Sequence, residues 1–214
     1  MPSLPLSQAL TRNASKQCAY PGCHLFRWKL CKNCRKHAER KRKWGTPSGR
    51  TWAVKDVETY LEVSLDFVQS NRSHPGITSA TKWLDAVLAD ATKRASASPI
   101  RSMATKVFGA FGERGITGKD LLVRVVATTI YLSELQPREQ EQSTFIHNLG
   151  LFCLRALKPG IAKGKAQEIL ARELGGYLYA ELRALLFSII AHKQTQERQR
   201  AAFQKDARQP FHSV

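Results

Sequence analysis

Three cysteines and one histidine near the N-terminus have the side-chain types and spacing that a metal ion needs. Residues 18–47 read CAYPGCHLFRWKLCKNCRKHAERKRKWGTP, and four of the chain's five Cys fall within residues 18–34. Zn²⁺ takes four nitrogen or sulfur ligands in a tetrahedron, supplied by two residues across a turn and two at the start of a helix. Cys18 and Cys23 flank Pro21-Gly22, which permits the turn. The second half closes in one of two ways, Cys34 with His37 or Cys31 with Cys34. A C-x₂-H pair sets both ligands on one side of a first helical turn, which favours Cys34 and His37 and leaves Cys31 as the alternative ligand. A disulfide fits poorly with a reducing compartment. A nucleophilic Cys–His pair would need an orienting partner that the sequence does not offer. His24 reads as a surface residue, and Cys153, between Phe152 and Leu154, as core packing.

The element that follows these ligands is a basic helix. Lys36, Arg40 and Lys43 recur at i, i+4 and i+7, flanked by Arg35, Lys41 and Arg42, with Glu39 the one acid. Like charges at this spacing destabilise an isolated helix. A metal offsets that by anchoring the helix without an apolar core, and a phosphate backbone supplies the counter-charge. Arg27, Lys29 and Lys32 extend the basic surface. These nine cations are the candidate nucleic-acid contacts. Phosphate contact is favoured over base reading, because this helix has no Asn or Gln to read adenine. Trp28 and Trp44 can stack on bases or cover the metal; the position of Trp44 beside Gly45 favours packing.

The charge distribution separates this head from the rest. Of the net +17, residues 1–55 contribute +12 from 13 Lys/Arg and one acid, whereas residues 56–134 are neutral. The asymmetry points to a polyanion-binding head on a balanced body. No run approaches about 20 consecutive apolar residues, so no membrane span is expected. The N-terminus does not read as a secretory signal, which leaves a cytoplasmic address, at the nucleoid if DNA is the partner.

Residues 1–17 read as a flexible leader, 18–47 as the metal module, 48–54 as a linker, 55–203 as an all-α helical domain and 204–214 as a polar tail. The expected fold class is therefore mainly α, a small zinc-binding module followed by a helical bundle. Ile100, Met103, Ala104, Val107, Phe108 and Phe111 form one stripe over Pro99–Gly112, with Ser98 as N-cap and Pro99 in the first helical position. Thr117 and Asp120 open the next helix in the manner of a capping box, and Pro137 lies past its end. Further helices are expected at Val57–Gln69, Ser79–Arg94, Arg138–Leu157, Lys165–Leu174 and Tyr177–Phe203, with Gly175–Gly176 interrupting or kinking the last pair.

Residues 18–47 also resemble the small zinc-binding modules of bacteriophage and mobile-element proteins, often found beside HNH homing endonuclease domains. The matching features are Cys18-x₄-Cys23, Cys34-x₂-His37 and Gly45-Thr46-Pro47. The resemblance implies Cys18, Cys23, Cys34 and His37 as ligands, and DNA rather than RNA as the partner. Ala38 stands where those modules carry an aromatic residue, and Cys31 is an additional thiol. The helical domain lies outside the resemblance.

No catalytic constellation is recognisable. His147-Asn148 is the one adjacent His–Asn pair, but it sits in a helical apolar stretch rather than the ββα hairpin of an HNH site. Clustered carboxylates for a two-metal nuclease are missing, and Lys158–Lys165 (KPGIAKGK) lacks P-loop spacing. The expected function is a non-enzymatic, Zn²⁺-dependent nucleic-acid-binding accessory protein of a phage or mobile element, whose helical body binds itself or another protein. A protein–protein adaptor with a structural zinc clip is the alternative, and a nuclease without a recognisable motif a third.

Overall fold

The stretch Leu121–Leu132 carries a single charge, Arg124, among mostly apolar residues, and a helix so largely apolar belongs inside. It forms the middle of the helix Gly118–Glu134, where Leu121, Leu122, Val125, Val126 and Ala127 are fully buried. Each such Leu or Val stabilises by about 1.5–3 kcal/mol relative to exposure. The computed structural model describes residues 5–44, 46–97, 103–135, 141–157, 160 and 162–206. Its helices are α1 (Leu6–Ala14), α2 (Arg35–Trp44), α3 (Val54–Glu58), α4 (Leu61–Ser70), α5 (Pro75–Ala97), α6 (Met103–Glu113), α7 (Gly118–Glu134), α8 (Gln142–Leu154) and α9 (Gly164–Asp206). Among the described residues there is no strand, only an isolated bridge between Gln17 and Phe26. The mainly α architecture is as expected. Helix α7 is its centre, packed on α3, α4, α5, α8 and α9.

Local chemistry explains where α7 begins. Asp120 N–H donates to Thr117 Oγ1 at 3.2 Å and Thr117 N–H donates to Asp120 Oδ2 at 2.9 Å, a complete capping box. Asp85 of α5 adds a carboxylate that accepts from Gly118 N–H at 2.7 Å. Upstream, Val107, Phe108 and Phe111 of α6 face the core as their spacing predicts. Ser98, Pro99 and Pro137 lie outside the described residues, as do Gly45 and the tail beyond 206.

Four boundaries differ from expectation. The leader contains α1, because Asn13 Nδ2 donates to the carbonyls of Lys29 (2.7 Å) and Cys31 (2.9 Å) and so ties residues 6–14 to the Cys–His module. Residues 48–54 are docked rather than spanning free space. Trp52 N–H donates to Asn148 Oδ1 at 2.8 Å, Asn148 Nδ2 donates to Arg50 O at 2.9 Å, and the Trp52 indole enters the core. The helix expected at Val57–Gln69 breaks at Thr59–Tyr60 into α3 and α4; the Thr59 hydroxyl donates to Asp56 O, a local bond that competes with helix continuation. Finally, Gly175–Gly176 neither interrupts nor separates the last two helices, which are one continuous α9.

The glycines explain that continuity. A Cβ on Gly175 would lie 1.8 Å from Ile146 O of α8, and one on Gly150 would lie 1.8 Å from Ala171 O of α9. The two backbones meet where neither side can hold a side chain, and this packing offsets the roughly 1 kcal/mol that glycine costs in a helix. By length and composition, Gly164–Thr195 is apolar enough to cross a membrane even without an uninterrupted apolar run. In this fold, however, its Leu174, Leu178, Leu182 and Leu186 are buried against the helical core.

Gly175→Ala should lower unfolding stability by about 3 kcal/mol through overpacking. Gly176→Ala, where a Cβ meets open space, should be neutral or stabilise by up to about 1 kcal/mol. Chemical denaturation of the two variants measures the contrast, and equal effects would remove the close-approach explanation.

His147 on α8 is 1% exposed. Burial, then the charge of Arg172, holds it below the ordinary 6.5; Lys43 acts in the same direction and Glu168 opposes. The unfolded chain therefore takes up this proton first as pH falls. The neutral histidine's contribution is present above pH 6.5 and lost as pH falls through the lower folded value. His147→Gln should flatten the decline of stability below pH 6.5, read from denaturation midpoints across a pH series.

Candidate metal centre

Two short loops and the first turn of α2 bring the four ligands together. In Tyr20-Pro21-Gly22-Cys23, Cys23 N–H donates to Tyr20 O at 3.1 Å and Gly22 has φ +72°. Proline second and a left-handed glycine third are the signature of a type II turn. Cys18 N–H to Leu25 O (2.8 Å) and Ala19 N–H to Lys32 O (2.9 Å) tie this loop to the next. The second loop carries Trp28 N–H to Asn33 O at 3.0 Å and leads into α2, whose entry bond is Ala38 N–H to Cys34 O at 2.8 Å.

The result is a compact donor set. The ligand atoms of Cys18, Cys23, Cys34 and His37 all lie within 4.8 Å of one another, a group that could hold a metal ion. His37 Nδ1 is 3.4 Å from both Cys18 Sγ and Cys34 Sγ, and Cys23 Sγ is 3.9 Å from Cys34 Sγ. Tetrahedral bonds of 2.3 Å to sulfur and 2.0–2.1 Å to nitrogen require S···S edges of about 3.8 Å and S···N edges of about 3.6 Å. The observed separations fit a central ion. Cys34 N–H also donates to Cys18 Sγ at 3.2 Å, a bond that strengthens on thiolate formation. The Tyr20 ring covers His37 with centroids 4.2 Å apart.

The surroundings favour the Cys18 thiolate and a neutral His37 imidazole. Burial alone would raise the Cys18 thiol, but bonds from the Cys34 and Tyr20 backbones, with the Cys23 and Cys34 thiols, bring it below its ordinary value. At Cys23 the Leu25 backbone lowers the pKa, yet burial and the neighbouring Cys34 and Cys18 thiols leave it raised. His37 is lowered by burial, then by Arg40 and Lys36, so its ring stays neutral and able to ligate.

Cys31 stands outside this group. It is the exposed one of the five cysteines, none of which forms a disulfide among the described residues. Lys29, the one described non-glycine residue with positive φ (+52°), and the Cys31 N–H to Trp28 O bond curl the loop away from the ligands. Of the alternatives the spacing leaves open, the structure brings Cys34 and His37 together. Cys153 is fully buried in the core, where burial pushes its thiol up to about 12. His24 is exposed, and His147 and Asn148 are buried helix residues.

The nine candidate cations do not share one environment. Arg27 is engaged inside the module, donating through Nε to Gln17 O at 3.0 Å. Lys29 lies over Trp28, 4.8 Å from the ring centroid, and Arg35 pairs with Glu39 at 3.1 Å. Lys32 and Lys41 are exposed. Lys36, Arg40, Arg42 and Lys43 line a cleft between α2 and the start of α9, which contributes Lys165 and Arg172. Sequence reading misses those last two, which lie about 130 residues downstream in a stretch whose pattern suggests only a bundle helix after a glycine-rich loop. Trp44 packs its Cβ over Gly49. The chain matches no family model, no curated protein and no solved structure.

Protein purified without chelator should contain one divalent ion per chain. Cys34→Ser should lose it together with the helical signal of α2, while Cys31→Ser should retain both. Metal analysis beside circular dichroism decides this, and equal metal loss in the two variants would reopen the ligand set.

Proposed function

We propose that the protein is a Zn²⁺-dependent DNA-binding accessory protein, in which a Cys₃His clamp presents a cationic helix to the phosphate backbone. The observation that carries this reading is the position of His37. It belongs to α2 and is the one buried residue of that helix, so ordering the metal site and presenting the cations are a single event. Three thiols and an imidazole are a ligand set of structural zinc, closed to substrate. Zinc would neutralise charge among the thiolates and fix the start of α2; the chemistry it supplies is structural.

Around that clamp α2 carries Arg35, Lys36, Arg40, Lys41, Arg42 and Lys43 against the single acid Glu39. Such a surface binds phosphate irrespective of sequence. DNA rather than RNA is proposed from the resemblance to phage and mobile-element modules, and the helical domain is assigned to a protein partner or a second copy. A cytoplasmic location fits the need for reduced thiols, and a nucleoid-associated one fits the proposed DNA partner. The protein–protein adaptor remains the second reading because Leu25, Phe26 and Leu30 of the module are 57%, 63% and 57% exposed.

Reversing Lys36 and Arg40 to Glu, with zinc content verified, separates the two. The DNA reading expects weaker retention of duplex DNA. It also expects a slope of log K against log salt that is shallower by roughly 0.9 for each phosphate that is no longer neutralised. Retention and slope both unchanged would sink the DNA reading and favour the adaptor.

A further inference from the structure

The cleft between α2 and α9 encloses about 760 Å³ and is walled by both the Cys–His module and the helical domain. Two acids border it, and both are already engaged. Glu39 pairs with Arg35 at 3.1 Å, and Glu168 pairs with Lys43 at 2.5 Å. Lys36, Arg40, Arg42 and Lys165 also line it, and the structure gives none of them a carboxylate partner among the described residues. The cleft therefore holds an excess of positive charge in one concavity. The first turn of α9, at Gly164 and Lys165, adds backbone N–H groups without helical partners and the positive end of a long helix dipole.

The walls are held in place. Arg172 donates through Nη2 to Lys43 O at 2.6 Å, at the C-terminal end of α2, and the Lys43–Glu168 pair lies beside it. Cations brought this close repel one another unless an anion lies between them. The lining includes no Asn or Gln, so it has no amide to read a base edge, and its donors are the point charges and guanidinium forks suited to phosphate.

We infer that this cleft is a phosphate seat for the DNA backbone, shared between the metal module and the first turns of α9, with Lys165 as a contact supplied by the helical domain. The inference rests on the DNA-binding reading and deepens it, since a module acting alone would not need Lys165. It also gives the module and the body one ligand in common.

The test compares full-length, zinc-loaded Lys165→Gln with the parent protein and with Lys119→Gln, a change of equal charge on α7. Duplex DNA is titrated across a salt series, and inorganic pyrophosphate is titrated separately. The expected result is a slope shallower by roughly 0.9 in Lys165→Gln alone, with the same weakening on unrelated sequences. If Lys165→Gln matches the parent while the Lys36/Arg40 reversal still weakens binding, the shared seat is overturned and the DNA reading stands. If no variant changes DNA retention, both fail. Pyrophosphate binding that needs Lys165, without DNA retention by the parent, would assign the cleft to a small phosphorylated ligand and overturn the inference.

Discussion

Three sulfur atoms and one ring nitrogen converge within 4.8 Å at the start of α2, and the remainder of the N-terminal architecture follows from that convergence. Helix α2 has six cations, one acid and a single buried residue, His37. It has no apolar stripe with which to dock, and its like charges oppose helix formation. Under the proposed function, ligation of a metal at Cys34 and His37 would replace the missing hydrophobic anchor. The Pro21-Gly22 turn, the Asn13 bonds to the second loop and the Tyr20 ring over His37 all bring or hold donors in place around one point.

The far end of α2 is held differently. Its last turn carries Lys41, Arg42 and Lys43, where the negative end of the helix dipole favours cations. Arg172 donates to the Lys43 carbonyl, and Glu168 pairs with the Lys43 ammonium. Each such surface contact contributes about 0–1 kcal/mol, and the two join the end of α2 to α9 at Lys43. Asn148 then clamps the chain that leaves α2, accepting from Trp52 N–H and donating to Arg50 O. The segment between the module and the helical domain is therefore part of the fold.

The helical domain contributes through the α8–α9 crossing. Gly150 and Gly175 let the two backbones approach, and Ala171, fully buried at this crossing, immediately precedes Arg172. Close packing thus fixes the residue whose guanidinium reaches α2. Under the proposed function, the same packing also sets Lys165, two turns earlier, facing the basic helix across the cleft. The buried His147 lies behind this wall, with Arg172, Glu168 and Lys43 as its charged neighbours.

Much of the site was legible in the chain itself. Cys18, Cys23, Cys34 and His37 are short-range neighbours, so loop closure costs little entropy and spacing alone restricts which donors can meet. The same locality made the Thr117–Asp120 capping box and the α6 stripe readable, because both depend on contacts three or four residues apart. What tertiary structure decided was everything that turns on distance along the chain. It excluded Cys31 through a left-handed Lys29 and bonds from Asn13, converted a leader into α1 and a linker into a docked strap, and used Gly175 for close approach rather than as a break. It also set Lys165 and Arg172 opposite α2. Periodicity records which face of a helix is buried, but not which partner buries it or which distant charge arrives beside it. That information exists only once long loops have closed and the backbones have packed.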